Sequence, residues 1–188
     1  MERCCTATSN LGSNIVAAVF TIFALGVLNN STVALGLIGT IGAVGFVIGV
    51  FLTPKFTKLL GVGMTLAVAI SVGFATVLQP LAQYGHAFFI LSALAFVAGI
   101  MIPWYNINAV SLRQAITPDR LQGRMNATTR TIVWGTLPLG SFIGGVLGGS
   151  IGIVNTIYVG GTISGMAALW ILLGPVRKIK TQPEPINE

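Results

Sequence analysis

At 188 residues, with 54% hydrophobic and only 7% charged side chains and a mean hydropathy of +0.88, the chain is far from a water-soluble domain, in which roughly a quarter of residues are charged. Its net charge of +6 would suit a nucleic-acid partner only if basic and aromatic residues shared one polar surface; they do not, so no nucleic-acid partner is expected. The adjacent Cys4 and Cys5 define neither a disulfide framework nor a metal-ligand set, and the chain is read as no enzyme, with no metal and no cofactor.

Nothing ionised at neutral pH lies from Cys4 to Pro54, from Leu59 to Leu112 or from Thr131 to Val176, three blocks of about 50 residues each. A bilayer span takes about 20 apolar residues at about 1.5 Å rise, so each block holds two spans and a tight turn. The fold class predicted is an all-α membrane protein of six transmembrane helices. Its divisions are a short N-terminal segment at 1–10, a six-span domain at 11–175 and a tail at 176–188.

The N-terminal segment is polar and has no signal-peptide cleavage site. A first span at about 11–28 leads to the turn Asn29–Thr32, whose side chains can satisfy freed backbone groups. The second span, about 33–53, carries Gly36, Gly39, Gly42, Gly45 and Gly49, a small-residue face suited to a close neighbour. Pro54 is expected to end it, leaving Pro54–Gly61 as a connection with Lys55 and Lys58. After a third span at about 62–78, the uncharged turn Gln79–His86 holds the only histidine, read as an interfacial polar residue rather than a pH switch. The fourth span, about 87–112, is the longest and most polar, with Trp104, Tyr105, Asn106 and Asn108 beyond a potential kink at Pro103.

Four of the ten basic residues and one of the four acidic ones then gather in Ser111–Arg130: Arg113, Asp119, Arg120, Arg124 and Arg130. Within it Thr117 is a good N-cap, Pro118 suits a first helical position and Asp119 complements the positive helix end. They predict a short helix along the membrane surface, its arginines near lipid headgroups. In the fifth span, about 132–149, Gly140, Gly144 and Gly148 fall four apart on one face. The sixth, about 154–173, repeats that spacing at Gly161 and Gly165, and a tail with Arg177, Lys178 and Lys180 follows. With this count all ten Lys and Arg fall on one side, so the positive-inside rule puts both termini in the cytoplasm of a multi-pass inner (plasma) membrane protein.

No Asp, Glu, Lys or Arg sits in the middle of a span, so the chain has no visible proton carrier. The uncharged candidates are Asn106 and Asn108, which need hydrogen-bond partners in a membrane. Two residues apart on a helix, they point about 200° apart and cannot both face one cavity. Trp104, Tyr105 and Trp134 read as interfacial belt residues. The glycine faces read first as close helix packing and second as surfaces that slide during a conformational cycle.

The stretch SLRQAITPDRLQGRMNATTRTIVWGTLPLGSFIGGVLGG, Ser111 to Gly149, strongly resembles the loop and following helix between the tenth and eleventh spans of major facilitator superfamily transporters. The likeness is to the bacterial branch similar to enterobactin exporters and macrolide efflux proteins, and its loop motif falls on Arg113, Pro118, Asp119, Arg120, Gly123 and Arg124. Nearly the whole chain looks like the C-terminal half of that twelve-span fold. The connection with Lys55 and Lys58 is similar to a degenerate copy of the family's glycine and basic loop motif, without its acidic residue and with Pro54 early.

The resemblance implies that the first and fourth spans line a central cavity, making Asn14, Thr21, Asn106 and Asn108 the candidate substrate residues. It implies that the second and fifth spans pack across the interface between halves, with Gly42, Gly45, Gly49, Gly140, Gly144 and Gly148 serving packing and rocking, and that the third and sixth face lipid. Efflux of a small-molecule substrate is the activity implied, in a lipid bilayer and together with a missing N-terminal half or a second copy. The alternative is a six-span membrane scaffold or partner-binding protein without transport activity.

Overall fold

The computed structural model describes residues 2–174; Met1 and the tail expected at 176–188 lie outside the described residues, as do the side chains of Glu2, Arg3 and Asp119. The helices are α1 (Glu2–Ile22, prolonged by a π turn at Phe23–Val27), α2 (Thr32–Leu60), α3 (Val62–Ser71, prolonged by a 3-10 stretch at Val72–Tyr84), α4 (Ala87–Ala115), α5 (Asp119–Ser150) and α6 (Ile153–Leu172). No strand occurs among the described residues. Each of the six contains a segment of 20 to 31 residues long and apolar enough to cross a membrane.

Helix ends depart from expectation at polar residues and at proline. The N-terminal segment is not a separate polar start, because α1 is helical from Glu2 and turns its hydroxyls inward: Thr6 Oγ1 lies 2.6 Å from the Tyr105 hydroxyl. Pro54 does not stop α2, which continues to Leu60 with the proline inside it. Proline removes one donor, and membrane helices tolerate that where neighbours and hydroxyls re-satisfy the backbone. The turn comes instead at Gly61, whose φ of +80° favours a residue without Cβ, so Lys55 and Lys58 ride on the last turns of α2.

Before α5 the cap is shifted. Pro118, in extended geometry, occupies the N-cap and no side chain caps the helix there; the Pro118 carbonyl accepts from the Leu121 amide at 2.9 Å. Thr117 therefore stands one residue outside and is not the cap. The surface helix expected ahead of the fifth span is the first part of α5 itself, one unbroken helix to Ser150.

Glycines set the register. A Cβ at Gly45 would meet the Phe96 carbonyl oxygen at 2.5 Å and one at Gly49 would strike the Ile100 carbonyl, so α2 and α4 lie parallel in backbone contact. Gly140 meets the Leu11 carbonyl, Gly144 that of Ile15 and Gly148 the Val19 side chain, which aligns α5 parallel to α1. Gly12 against Gly160 and Ser164, and Gly73 against Ser164 and Gly165, run antiparallel and seat α6 on α1 and on the 3-10 stretch.

Exchanging α1 for α4, α2 for α5 and α3 for α6 converts the α1–α5 pair into α4–α2 and the α1–α6 pair into α4–α3, and all four pairs are made. The bundle is thus two three-helix units of opposite direction, with equivalent glycine seams at the α1–α5 and α4–α2 pairs. The third and sixth spans, expected to face lipid, are the most enclosed: 44% of the apolar segment is buried in each, against 17% in each of the second and fifth.

Candidate functional site

Three adjoining lobes form a cavity along α4. The outer lobe, about 300 Å³, lies among α1, α4 and α5 and is lined by Thr6, Tyr105, Asn106, Arg113, Thr129, Arg130 and Trp134 among others. It shares Thr6, Tyr105, Asn106, Val133 and Trp134 with a central lobe of about 450 Å³, which reaches in to Ser9, Asn10, Ser13, Thr76 and Ser164. The central lobe in turn shares Val72, Thr76 and Ala98 with an inner one of only about 80 Å³, lined also by Phe20, Ile38, Gln79, Leu91 and Leu94. From Arg113 to Ala98 the path follows α4 for about 22 Å at 1.5 Å per residue. It is wide from the end where α4 meets α5 to the middle of the bundle and narrow beyond, where Thr76 and Gln79 stand among apolar side chains.

The central lobe is polar through hydroxyls. Thr6, Ser9, Asn10 and Ser13 recur at i, i+3, i+4 and i+7 and so share one face of α1. Ser9 Oγ and Ser13 Oγ lie 3.4 Å and 3.1 Å from Ser164 Oγ on α6. A hydroxyl offers one donor and two acceptor positions, so this cluster keeps capacity for a ligand or water after its mutual bonds. Asn106 donates from Nδ2 to the Ile102 carbonyl at 3.1 Å, which leaves its amide oxygen outside that bond. Arg130 Cζ lies 5.8 Å from the centroid of the Trp134 ring, within cation–π range.

Of the four asparagine and threonine candidates, Asn106 alone lines this cavity. Asn108, 1% exposed, faces away: its Nδ2 donates to the Trp104 carbonyl at 2.8 Å and it is paired with the Thr57 hydroxyl of α2 at 3.0 Å. Asn14 donates to the Asn10 carbonyl at 2.9 Å and packs at Gly140, whereas Thr21 is exposed further along α1. Gly42, Gly45 and Gly49 pack on α4, and Gly140, Gly144 and Gly148 on α1, all within the chain. Arg113 lines the outer lobe; Arg120, Gly123 and Arg124 are exposed on α5.

Two belt readings are corrected. Trp104 is 4% exposed; it donates from Nε1 to the Gly49 carbonyl at 3.0 Å and stacks on Phe56 at 4.3 Å between ring centroids, which makes it a bolt between α4 and α2. Tyr105 is buried as well and its hydroxyl reaches α1. The hydroxyl face of α1 straddles the boundary expected between a polar N-terminal segment and the first span, and the i, i+3, i+4, i+7 spacing of Thr6, Ser9, Asn10 and Ser13 is the signal that reveals it. Ser164 had no such local signal, since α6 acquires its role only by packing on α1. Comparison with protein-family models, curated proteins and solved structures finds no match for the chain.

Proposed function

We propose that the chain is one six-span half of a major facilitator efflux transporter, set in the inner membrane with both termini cytoplasmic, and that it moves a small molecule through the cavity along α4. The observation that carries this is the tapering cavity inside a pair of oppositely directed three-helix units. Secondary carriers are built from inverted repeats that enclose a site near the membrane midplane and expose it to one side at a time. A lobe of about 450 Å³ that closes to about 80 Å³ has that form. The positive-inside rule turns its mouth to the cytoplasm, since Arg113 and Arg130 stand there. The TPDRLQGRMNA and PLGSFIGG stretches supply the superfamily likeness. The sparsely buried α2 and α5 supply surface for a second six-span unit, either an N-terminal half or another copy.

The test is water access. In a Cys4→Ser, Cys5→Ala background, Ser13→Cys and Asn106→Cys react with a membrane-impermeant methanethiosulfonate reagent applied to the cytoplasmic face of vesicles, while Thr40→Cys, exposed on α2 with Gly36 and Gly39 open beside it, stays unreactive in lipid. Protection at Ser13 and Asn106 equal to that at Thr40 removes the aqueous cavity and leaves the partner-binding scaffold.

A further inference from the structure

The second half of the third span is wound differently from its counterpart. From Val72 to Tyr84 the chain is a 3-10 helix of 13 residues, whereas α6, which takes the place of α3 in the other three-helix unit, is α-helical from Ile153 to Leu172. Runs of 3-10 helix rarely exceed about four residues, because their hydrogen bonds are poorer than those of an α-helix, and a longer one marks strain or a hinge. With about three residues per turn, Gly73, Thr76 and Gln79 stand in one row. Thr76 and Gln79 line the inner lobe, and Gln79 Oε1 is buried without a hydrogen-bond partner among the described residues.

Two side chains hold this winding. The Thr76 hydroxyl donates to the Gly73 carbonyl at 2.6 Å and the Gln83 amide to the Pro80 carbonyl at 3.2 Å, each three residues back. Pro80 acts against the alternative, since within an α-helix its ring would crowd the Thr76 carbonyl and its nitrogen would offer that carbonyl no donor. The surroundings oppose a change of winding very little. The stretch lies on Gly161 and Gly165 of α6, which have no side chain to interlock with it, and it ends at Gly85, φ +127°, with open space where a Cβ would stand.

We propose that the 3-10 stretch is a switch that rewinds into α-helix and so controls the inner lobe. From Gly73 onward each residue turns back by about 20° and rises about 0.5 Å less. Gln79 then leaves its row by about 120°, the shorter Pro80 arrives near its place, and the Tyr84 end draws in by about 6 Å. Rewinding takes the Gln79 oxygen out of a lobe where it has no partner, which offsets the disfavoured proline. The winding follows from the backbone alone; its role as a gate rests on the cavity being a passage.

Spin labels at Met64→Cys and Tyr84→Cys, both exposed, are introduced in a Cys4→Ser, Cys5→Ala background in phosphatidylcholine nanodiscs, and their separation is read by double electron-electron resonance. The expected distribution has one main distance and a minor one about 6 Å shorter. Pro80→Ala raises the ratio of short to long at least tenfold; because Pro80 is fully buried, Pro80→Val is used beside it. Gln79→Leu, which removes the unpartnered oxygen, lowers the same ratio. A single unshifted distance in the wild type and both Pro80 variants overturns the switch, as does a short fraction that grows with Gln79→Leu. Rewinding with Ser13→Cys unreactive to the thiol reagent would end the carrier reading and keep the switch; a reactive Ser13→Cys with one fixed distance would do the reverse.

Discussion

Asn106 and Asn108 stand two residues apart on α4 and have opposite fates. On the Asn108 side α4 is bolted to α2: the indole of Trp104 and the amide of Asn108 bond to Gly49 and Thr57, and glycines let the two backbones touch. On the Asn106 side α4 stands off from α1 and α5 around the cavity. In lipid no water is at hand to satisfy a polar side chain, so it must find protein, ligand or a wet cavity. The same residue type therefore marks a locked seam on one face and an open site on the other, and only the partner tells which.

The sharpest break of this contrast is at Gly49. A Cβ there meets Ile100 backbone atoms and the Pro103 ring, none of which can swing aside, so Gly49→Val should cost about 3 kcal/mol by overpacking and strip the fold in a mixed-micelle unfolding titration. Gly39 in the same helix has open space around it, and Gly39→Ala should stabilise by about 0.5–1 kcal/mol because alanine is the better helix former. Similar losses at both positions would mean that α2 is not seated on α4 through Gly49.

The two glycines also show what was legible. A small-residue stripe, Gly36 to Gly49, was visible as a pattern of period three and four, but the pattern extends over both the open end and the seam. Only the tertiary contact separates Gly39 from Gly49. The six spans were readable because the absence of charge over three long blocks is a one-dimensional property. The serine cluster was not, because Ser164 lies 151 residues from Ser13 in the chain and becomes the neighbour of Ser9 and Ser13 through Gly12 and Gly160, which let α1 and α6 close. Pro54 misled for a related reason: a soluble helix would end there, whereas a helix packed in a bundle keeps the turns that follow.

A smaller effect separates the asparagines directly. Asn108→Leu removes the amide partner of the Thr57 hydroxyl and should cost about 1–2 kcal/mol, the scale of a hydrogen bond between membrane helices with a buried partner left behind. Asn106→Leu should leave the unfolding midpoint within about 0.5 kcal/mol, the usual range for a substitution away from packing, and should change ligand binding instead. Equal destabilisation by both would erase the distinction between the locked and open faces of α4.

The smallest shift is expected at the narrow end of the cavity. Gln79 lines the inner lobe, and its Oε1 is buried with no hydrogen-bond partner among the described residues. Such a group carries its desolvation penalty without compensation, and an apolar replacement of similar shape is neutral or favourable. Gln79→Leu should therefore raise the melting temperature by about 2–4 °C, the shift for about 1 kcal/mol in a chain of this size. A fall in melting temperature on Gln79→Leu would mean that this oxygen is bonded in the resting protein, and that the inner lobe is sealed by polar contacts rather than by Phe20, Ile38, Leu91 and Leu94 closing around it.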